Sequence, residues 1–583
     1  MTEWFEKPVD AASVDALADA GYPRLLARLL ALRQVTSETA EAYFAPALRD
    51  LAGPEGLPGV GAAVETILAA VRVRRKIVVF GDYDCDGVCA TAILVRTLEA
   101  LKASVVPFLP ERLTEGYGMS GPSLARLLAE QPDVGLVVTV DNGINAVEQV
   151  AELKKRGIPV VVTDHHLPGP ELPDCPVVNP KVAASAELEG LCGAGVAFLV
   201  AKALIDRAKA EGLYSGGSLA APLLVLAGLA TVTDIMPLRG QNRILVVSAL
   251  RLFRKAAPIG LRELLDRASR FVTPTLGARD FGFLIGPRIN AAGRMGSGMD
   301  ALRLVLADDR EASRELARTV DQANVQRKNV EQTMTDEALA QIVPGAAAQV
   351  IDLPNGHPGV AGIVAARILE RLATDGGKGP VPVCVVAGGH GSARAPDGYN
   401  VRDAFVACSA LLLHYGGHAA AGGFSVKEGC LDAFRGAFAA ACALQASVLP
   451  AAAGDQPVDA WVEASDLPLP IVERIQQMAP FGEGNPEPVF AARGVRLADV
   501  RPLGADGRHL QVSFRDGYPR AVWWSHGDQV ERLRADAGHP YDIRFTVEVS
   551  TYGEPHVELR LLDLRPSVHY SRAGGNIAEQ DGK

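Results

Sequence analysis

The chain has 583 residues, 48% hydrophobic and 22% charged, which excludes a single small core and a disordered chain and predicts roughly three or four domains. A net charge of −10 with a pI of about 5.7 excludes a protein that coats duplex DNA by bulk charge, although a single strand needs only a local basic groove. The acidic start MTEWFEKPVD has no apolar h-region, and the run Leu223–Val232 is too short to span a bilayer; a cytoplasmic protein without membrane association is expected, its eight cysteines buried as single thiols.

Residues 1–50 read as an N-terminal helical segment with a clear helical run at Leu25–Leu32. Pro54, Gly56, Pro58 and Gly59 mark a turn, and a helix is predicted over Gly61–Val73. Four continuous apolar runs follow: Ile77–Phe80, Ser104–Phe108, Val134–Val140 and Pro159–Thr163. Each lies a crossover helix from the next, so they predict strands buried on both faces of a parallel sheet. Such sheets bind ligands at the carboxyl ends of their strands, and this first domain is taken as 51–305.

The stretch Asp308–Val343 lacks Gly and Pro, and its apolar residues are sparse. It predicts a long connecting helix (306–345) that bridges domains. A second α/β domain (346–450) follows, with a strand at Gln349-Val350-Ile351, a helix at Gly359–Leu372 and a strand at Val383–Ala387. From about Asp459 apolar and polar residues alternate, as in Ile543, Phe545, Val547 and Val549, which predicts antiparallel strands with one wet face. About five such strands over 455–566 suit an OB-like barrel. The tail 567–583 is polar and is expected to be flexible.

The first buried strand runs into Gly81-Asp82-Tyr83-Asp84-Cys85-Asp86-Gly87. One aspartate would cap the next helix. Carboxylates at alternate positions in one turn repel each other, and a hard divalent cation relieves that repulsion. Later strands end in Asp141-Asn142-Gly143 and Thr163-Asp164-His165-His166, and Leu223–Val232 is followed by Asp234. Asp234 alone could equally cap a turn before Pro237.

In this order, Asp82-Tyr83-Asp84, Asp141-Asn142-Gly143, Asp164-His165-His166 and Asp234 resemble the motifs of the DHH phosphoesterase superfamily. Further segments resemble its RecJ branch: Arg112 with Glu115-Gly116-Tyr117-Gly118; Gly286-Pro287-Arg288-Ile289-Asn290-Ala291-Ala292-Gly293-Arg294; and, in a DHH-associated (DHHA1) domain, His357-Pro358-Gly359-Val360, Gly391-Ser392-Ala393-Arg394 and Gly416-Gly417-His418. Cys85 and Thr233 stand where smaller residues are expected, and Gly356 where an aromatic is common.

The resemblance implies a parallel-sheet DHH domain, a connecting helix, a DHHA1 domain and a C-terminal OB-like domain. It implies two Mn2+ or Mg2+ ions on Asp82, Asp84, Asp141, His165 and Asp234, with Asp141 bridging. Asp86 and Asp164 would sit behind the ligands, and His166 beside them with a catalytic role. Arg288, Asn290 and Arg294 would clamp phosphates, and Arg112, Ser392 and Arg394 would hold a terminal 5′-phosphate. Tyr117 and His418 would face substrate; His357 would do so or serve as a structural residue at a helix N-terminus. Of the adjacent Trp523 and Trp524, at most one faces DNA, because neighbours on a strand point to opposite faces. The implied activity is 5′-to-3′ exonuclease hydrolysis of single-stranded DNA to mononucleotides in recombination and repair. The implied partners are a strand with a 5′ end, single-strand-binding protein and a recombination helicase, with the chain itself a monomer. Two rivals remain: a phosphodiesterase or pyrophosphatase acting on small nucleotides, which would not need the barrel, and a noncatalytic DNA-binding scaffold, which would be expected to lose ligands.

Overall fold

A computed structural model describes residues 3–183, 186–268, 276–374, 379–449, 456–536, 538–550 and 553–567; the tail expected to be flexible lies, beyond residue 567, outside the described residues. The chain divides into two compact units. One comprises Leu51–Met236 and Leu245–Ala452, the other Met1–Asp50, Pro237–Ile244 and Ala453–Lys583.

In the larger unit the four expected strands form at Lys76–Phe80, Ser104–Phe108, Leu136–Val140 and Val160–Thr163. They pair in parallel, with Lys76–Phe80 between the second and third strands, and a short strand at Val177–Val178 extends the edge. The continuous apolar runs have the cause inferred for them. Ile77, Val79, Val138 and Val161 join a core on one face, with helices Cys85–Ala100, Gly193–Ala210 and Ala220–Thr233; Val78, Phe80, Val137 and Val162 join a second core on the other face. Successive side chains of a strand point oppositely, so a strand covered on both sides cannot alternate in polarity.

The long helix runs over Arg310–Leu339, its N-terminus capped by the Asp309 carboxylate, which accepts from Ala312 N at 2.7 Å. Its apolar residues are few, yet one face of it is buried. Ser313, Ala317, Val320, Asn324, Arg327, Glu331, Met334 and Ala338 are buried at spacings of three and four, the period of one helix face. The polar members bury by pairing: Arg327 bonds Asn324 Oδ1 at 2.6 Å and ion-pairs with Glu331, which also takes Arg367. Hydropathy counted these groups as solvated because it does not see their partners.

The same unit holds a mixed sheet in the order Leu412–Gly417, Ala421–Val426, His390–Arg394, Val383–Ala387, Gln349–Leu353. Only the last pair is parallel. Helix Pro358–Thr374 belongs to this part of the chain.

The second unit contains a closed barrel of Phe490–Leu503, His509–Phe514, Ala521–Trp523, His556–Pro566 and Pro540–Ser550. Closure depends on Phe490–Leu503, a strand the alternation pattern missed. Its first half pairs with Pro540–Ser550 and its second half with His509–Phe514. A register shift between Ala492 and Val495 bends it where Gly494 has φ 64°, a conformation glycine adopts without strain. The N-terminal segment is not a separate domain. Strand Trp4–Glu6 pairs in parallel with Gln456–Val458, and Leu17, Leu26, Leu29 and Leu30 share one core with Phe490, Phe545 and Leu559.

Asn485 pins these sequence-distant pieces together. Its Oδ1 accepts from Arg33 Nε (3.0 Å) and Tyr43 Oη (2.9 Å), and its Nδ2 donates to the Met478 (3.0 Å) and Pro480 (2.8 Å) carbonyls. Asn485→Ala strands several buried groups, each costing about 1–3 kcal/mol, so a loss of about 2–4 kcal/mol is expected for this unit. Its unfolding can be followed separately by intrinsic fluorescence in urea, because all four tryptophans of the sequence, Trp4, Trp461, Trp523 and Trp524, lie in it. An unchanged midpoint would show that the pin carries no stability.

Candidate metal centre

The acidic residues gather where the parallel strands end. Lys76–Phe80 delivers Asp82 and Asp84, and Asp84 caps helix Cys85–Ala100 by accepting from Gly87 N at 3.0 Å. The ordinary capping role and the cluster role therefore coexist in one side chain. Gly87 is needed for this turn, since a Cβ there would lie 2.6 Å from the Asp82 carbonyl oxygen. Leu136–Val140 delivers Asp141 in the left-handed region at φ 60°, an uncommon conformation for a non-glycine residue. Val160–Thr163 delivers Asp164, His165 and His166, and Asp234 follows the last turn of helix Ala220–Thr233.

These side chains converge on His165. Its Nε2 lies 3.2 Å from Asp141 Oδ1, 3.6 Å from Asp234 Oδ2 and 3.7 Å from Asp86 Oδ2. Three overlapping sets each bring their ligand atoms within 4.8 Å: Asp82, Asp84 and Asp141; Asp86, His165 and Asp234; Asp141, His165 and His166. Asp82, Asp141 and His165 are nearly inaccessible, and Asp82 Oδ1, Asp141 Oδ1 and His165 Nδ1 have no hydrogen-bond partner among the described residues. Burial raises the pKa of Asp82, Asp84, Asp86 and Asp141 above the usual carboxylate range, and carboxylate neighbours push Asp82, Asp84 and Asp141 further the same way. Burial and the charges of Asp86 and Asp84 lift Asp234 to about 9, while burial drops His165 to about 3. A cluster of acids that resists ionisation, with unpartnered oxygens and a neutral imidazole among them, fits hard divalent cations.

Other residues hold the cluster in place. Asp164 accepts from His165 N (2.7 Å), His166 N (3.1 Å), His166 Nδ1 (2.8 Å) and Ile144 N (2.9 Å). Burial opposes its charge, but these contacts outweigh it and hold its pKa low. For His166, burial is likewise outweighed by Asp164, and its pKa stands above the ordinary value. Tyr117 donates to the Asp141 carbonyl at 2.9 Å and touches the His166 ring, its own ring half exposed. Asp86 was expected only behind the ligands; both its oxygens take helix N-terminal donors, Gly193 N and Ala194 N at 2.7 Å, yet it also reaches ligand distance.

Gly193 was not singled out in the sequence. A Cβ there would lie 2.6 Å from Asp141 Cβ, so this helix start can press against the cluster only as glycine. A Gly-Ala-Gly run beginning a helix was the available signal, but nothing local ties it to Asp141.

The residues expected to contact phosphate divide. Arg288 bonds Asp321 at 2.8 Å and the Leu284 carbonyl at 2.8 Å, so it serves the long helix. Asn290 turns its Oδ1 inward, accepting from Cys85 N at 2.7 Å, and so steadies the aspartate loop. His357 Nδ1 accepts from Gly359 N at 3.1 Å, which is the structural alternative left open for it. By contrast Arg112, Arg294 and Arg394 form no ion pair among the described residues. Burial and the positive charge of Arg112 bring Arg294 to about 10, and the same causes lower Arg394. Arg394 and Ser392 converge over Gly362, where an added Cβ would meet Arg394 Nη2 at 2.9 Å and Ser392 Oγ at 3.4 Å. His418 shares a cavity of about 480 Å³ with Tyr117, Asp164 and His166.

Without cations the cluster is a source of instability. In chelator, Asp141→Asn should therefore be more stable than the parent by about 1–3 kcal/mol, the scale of an unsatisfied buried polar group. Mn2+ should reverse the order by stabilising the parent alone. Calorimetric melting with and without Mn2+ checks this, and a variant stabilised equally by Mn2+ would remove Asp141 from the ligand set.

Residues 76–227 match the DHH family, N-terminal domain, and residues 458–563 match the RecJ OB domain. The single-stranded-DNA-specific exonuclease RecJ of Thermus thermophilus is 38% identical over 508 residues, covering 86% of this chain and 72% of that protein. RecJ of Escherichia coli is 35% identical over 528 residues, covering 86% and 88%. A crystal structure of T. thermophilus RecJ with Mn2+ superposes with a TM-score of 0.81 at 33% identity, over 97% of this chain and 79% of that one; its Mg2+ complex superposes with a TM-score of 0.75 at 31% identity, over 97% and 78%. Relatives at 35–38% identity over most of both chains, and a superposition over 97% of this one, show that this chain belongs to the RecJ family of single-stranded-DNA-specific exonucleases.

Proposed function

We propose that this chain is a metal-dependent exonuclease that hydrolyses single-stranded DNA from its 5′ end, releasing mononucleotides, and that it serves recombination and repair. The observation that carries this reading is the pairing of a cation-fitting acidic cluster with Arg112, Arg294 and Arg394, which lack ion pairs among the described residues, in the same compact unit. A phosphodiester is the substrate that needs both halves. Relatives similar over most of the chain are named as single-stranded-DNA-specific exonucleases, which supports the reading. We infer further that the chain is a monomer in the cytoplasm, working beside single-strand-binding protein and a recombination helicase.

Two divalent ions, Mn2+ or Mg2+, on Asp82, Asp84, Asp141, His165 and Asp234, with His166 and Asp86 in reach, would supply an acidified water and neutralise charge at the phosphate. The chain's own residues do the positioning. Asp164 fixes the His165–His166 backbone and turns the His166 ring through Nδ1. This is the usual support for an imidazole at a metal site. Tyr117 ties the Asp141 loop to His166 and leaves part of its ring for a base. Arg294 joins the two α/β parts by donating to the Gly359 carbonyl at 3.1 Å. Arg112, Ser392 and Arg394 are assigned to the terminal 5′-phosphate, which carries more charge and more free oxygens than an internal diester.

A phosphodiesterase for small nucleotides would have no use for the barrel. There Trp523 is buried while Trp524 is half exposed against His509, so Trp524 is assigned to base stacking. Removing the whole barrel would also expose the N-terminal helices that share its core, so single substitutions are the cleaner probe.

The deciding experiment is digestion of end-labelled strands carrying 5′-phosphate, 5′-hydroxyl or a blocked 5′ end, in Mn2+ and in EDTA. Mononucleotides should appear from the 5′ end in Mn2+ only; release from the 3′ end, or activity in EDTA, defeats the proposal. Arg394→Ala should lose about ten- to a hundredfold of the preference for a 5′-phosphate, since a charge-assisted contact is worth about 1.5–3 kcal/mol, and should keep the Mn2+ dependence. Trp524→Ala should weaken binding of long strands by about five- to a hundredfold, the range for one base–aromatic stack, with little change on four-nucleotide substrates.

A further inference from the structure

We propose that Phe283 and Arg279 form a subsite for the single strand on the 3′ side of the scissile bond, Phe283 stacking on a base and Arg279 meeting a phosphate. This rests on the proposed assignment of the strand's 5′ end to Arg112, Ser392 and Arg394. Phe283 belongs to a π-helical turn, Asp280–Ile285, that runs directly into helix Gly286–Met295. Turns of this kind are rare and often stand at functional sites.

Phe281 and Ile285, four positions apart, are fully buried, and Phe281 packs on Phe253 with ring centroids 5.4 Å apart. The residue midway between them therefore faces outward, and Phe283 is 72% exposed. A lone exposed apolar side chain needs no explanation, but this one is neither lone nor far from the acidic cluster. Arg279, itself exposed, lies 5.9 Å from the centroid of the Phe283 ring and makes no ion pair or side-chain hydrogen bond among the described residues. An unpaired guanidinium beside an uncovered ring matches the two parts of a single strand, a phosphate and a base face. The turn also sits on the end of helix Ala220–Thr233. A Cβ on Gly286 would meet Thr233 Cγ2 at 2.3 Å, and one on Gly282 would lie 3.6 Å from Val232 Cγ1. Asp234 follows Thr233, and Ile235 follows it, 70% exposed at φ 56°. A β-branched residue held in the left-handed region is strained, and such strain collects at active sites and ligand clamps. Two exposed apolar side chains thus flank the helix end that delivers Asp234.

Helix Gly286–Met295 gives the direction. Its first residue packs on Thr233, Asn290 Oδ1 accepts from Cys85 N at 2.7 Å, and a Cβ on Gly293 would lie 2.7 Å from the Tyr83 carbonyl oxygen. Rising about 1.5 Å per residue, the helix passes along the acidic cluster from the Asp234 end to the Tyr83 end. Arg112 belongs to the Tyr83 end. It lies 5.0 Å from the centroid of the Tyr83 ring, and its charge opposes the burial that raises Asp82 and Asp84. Asp234, which burial and the charges of Asp86 and Asp84 lift to about 9, is eased by Lys181 instead. A strand with its 5′-phosphate at Arg112 and its scissile diester at the cluster therefore continues toward Asp234, where Phe283 and Arg279 stand.

The test uses the full chain in Mn2+ and total nucleotide release from a twelve-nucleotide strand with a 5′-phosphate. Both side chains are exposed, so neither substitution disturbs the core. Phe283→Ala should raise KM about five- to a hundredfold, the range for one base–aromatic stack, and leave kcat unchanged, while Phe283→Tyr should match the parent. Arg279→Gln should reduce the slope of log kcat/KM against log salt by about 0.7, as for one single-strand phosphate. In chelator, with 2-aminopurine placed along the strand, the quenching that Phe283→Ala abolishes should fall on an internal nucleotide and not on the 5′-terminal one. KM unchanged by Phe283→Ala and by Arg279→Gln, or Phe283-dependent quenching confined to the 5′-terminal nucleotide, overturns the proposal. Digestion from the 3′ end would instead defeat the 5′-to-3′ reading, with the KM shift still telling whether Phe283 and Arg279 hold the strand.

Discussion

Everything in the larger unit is arranged around the mutual repulsion of carboxylates packed against one imidazole. Asp86, Asp141 and Asp234 lie within 3.2–3.7 Å of His165 Nε2, and Asp82 and Asp84 adjoin Asp141. Such a set is unfavourable unless cations join it, so the surrounding fold must hold it by force. The parallel sheet does so. Strands covered on both faces cannot shift register cheaply, and their carboxyl ends point Asp82, Asp141 and Asp164 at one place. The helix beginning at Gly193 closes the cluster, its amides held by Asp86 and its missing side chain leaving room for Asp141.

The same logic separates positioning residues from those free to meet substrate. A polar atom already bonded inside the protein is committed to positioning. Asn290 is bonded to the aspartate loop, Arg288 to Asp321 and His357 to its own helix start. Arg112 lowers the proton affinity of Arg294 and Arg394, and none of the three has a carboxylate partner among the described residues. In a chain whose net charge is −10, the proposed function makes such arginines the local basic groove that bulk composition hides.

The two units differ in how their sequences encode them. In the larger unit, each strand and the acids after it are contiguous, so a motif carries both the element and its chemistry. In the smaller unit, the core joins residues 14–40 to residues 460–564, and Asn485 bonds Arg33 and Tyr43 across more than four hundred positions. No window of sequence contains such a contact.

What the sequence determined by itself was local: buried strands from continuous apolar runs, a barrel from alternation, and the aspartate and histidine motifs at strand ends. These signals survive because side-chain periodicity and turn chemistry act over a few residues. The tertiary structure alone decided which polar groups find partners. It buried Arg327 and Glu331 in a helix whose apolar residues are sparse, bent Phe490–Leu503 at Gly494 so that one strand serves two neighbours, and attached the N-terminal strand to Gln456–Val458. It also placed Gly193 against Asp141 and turned Asn290 inward. Each of these depends on a contact between residues whose proximity the chain's order does not specify. A residue's type sets which bonds it can make, and only the packed fold sets which it does make.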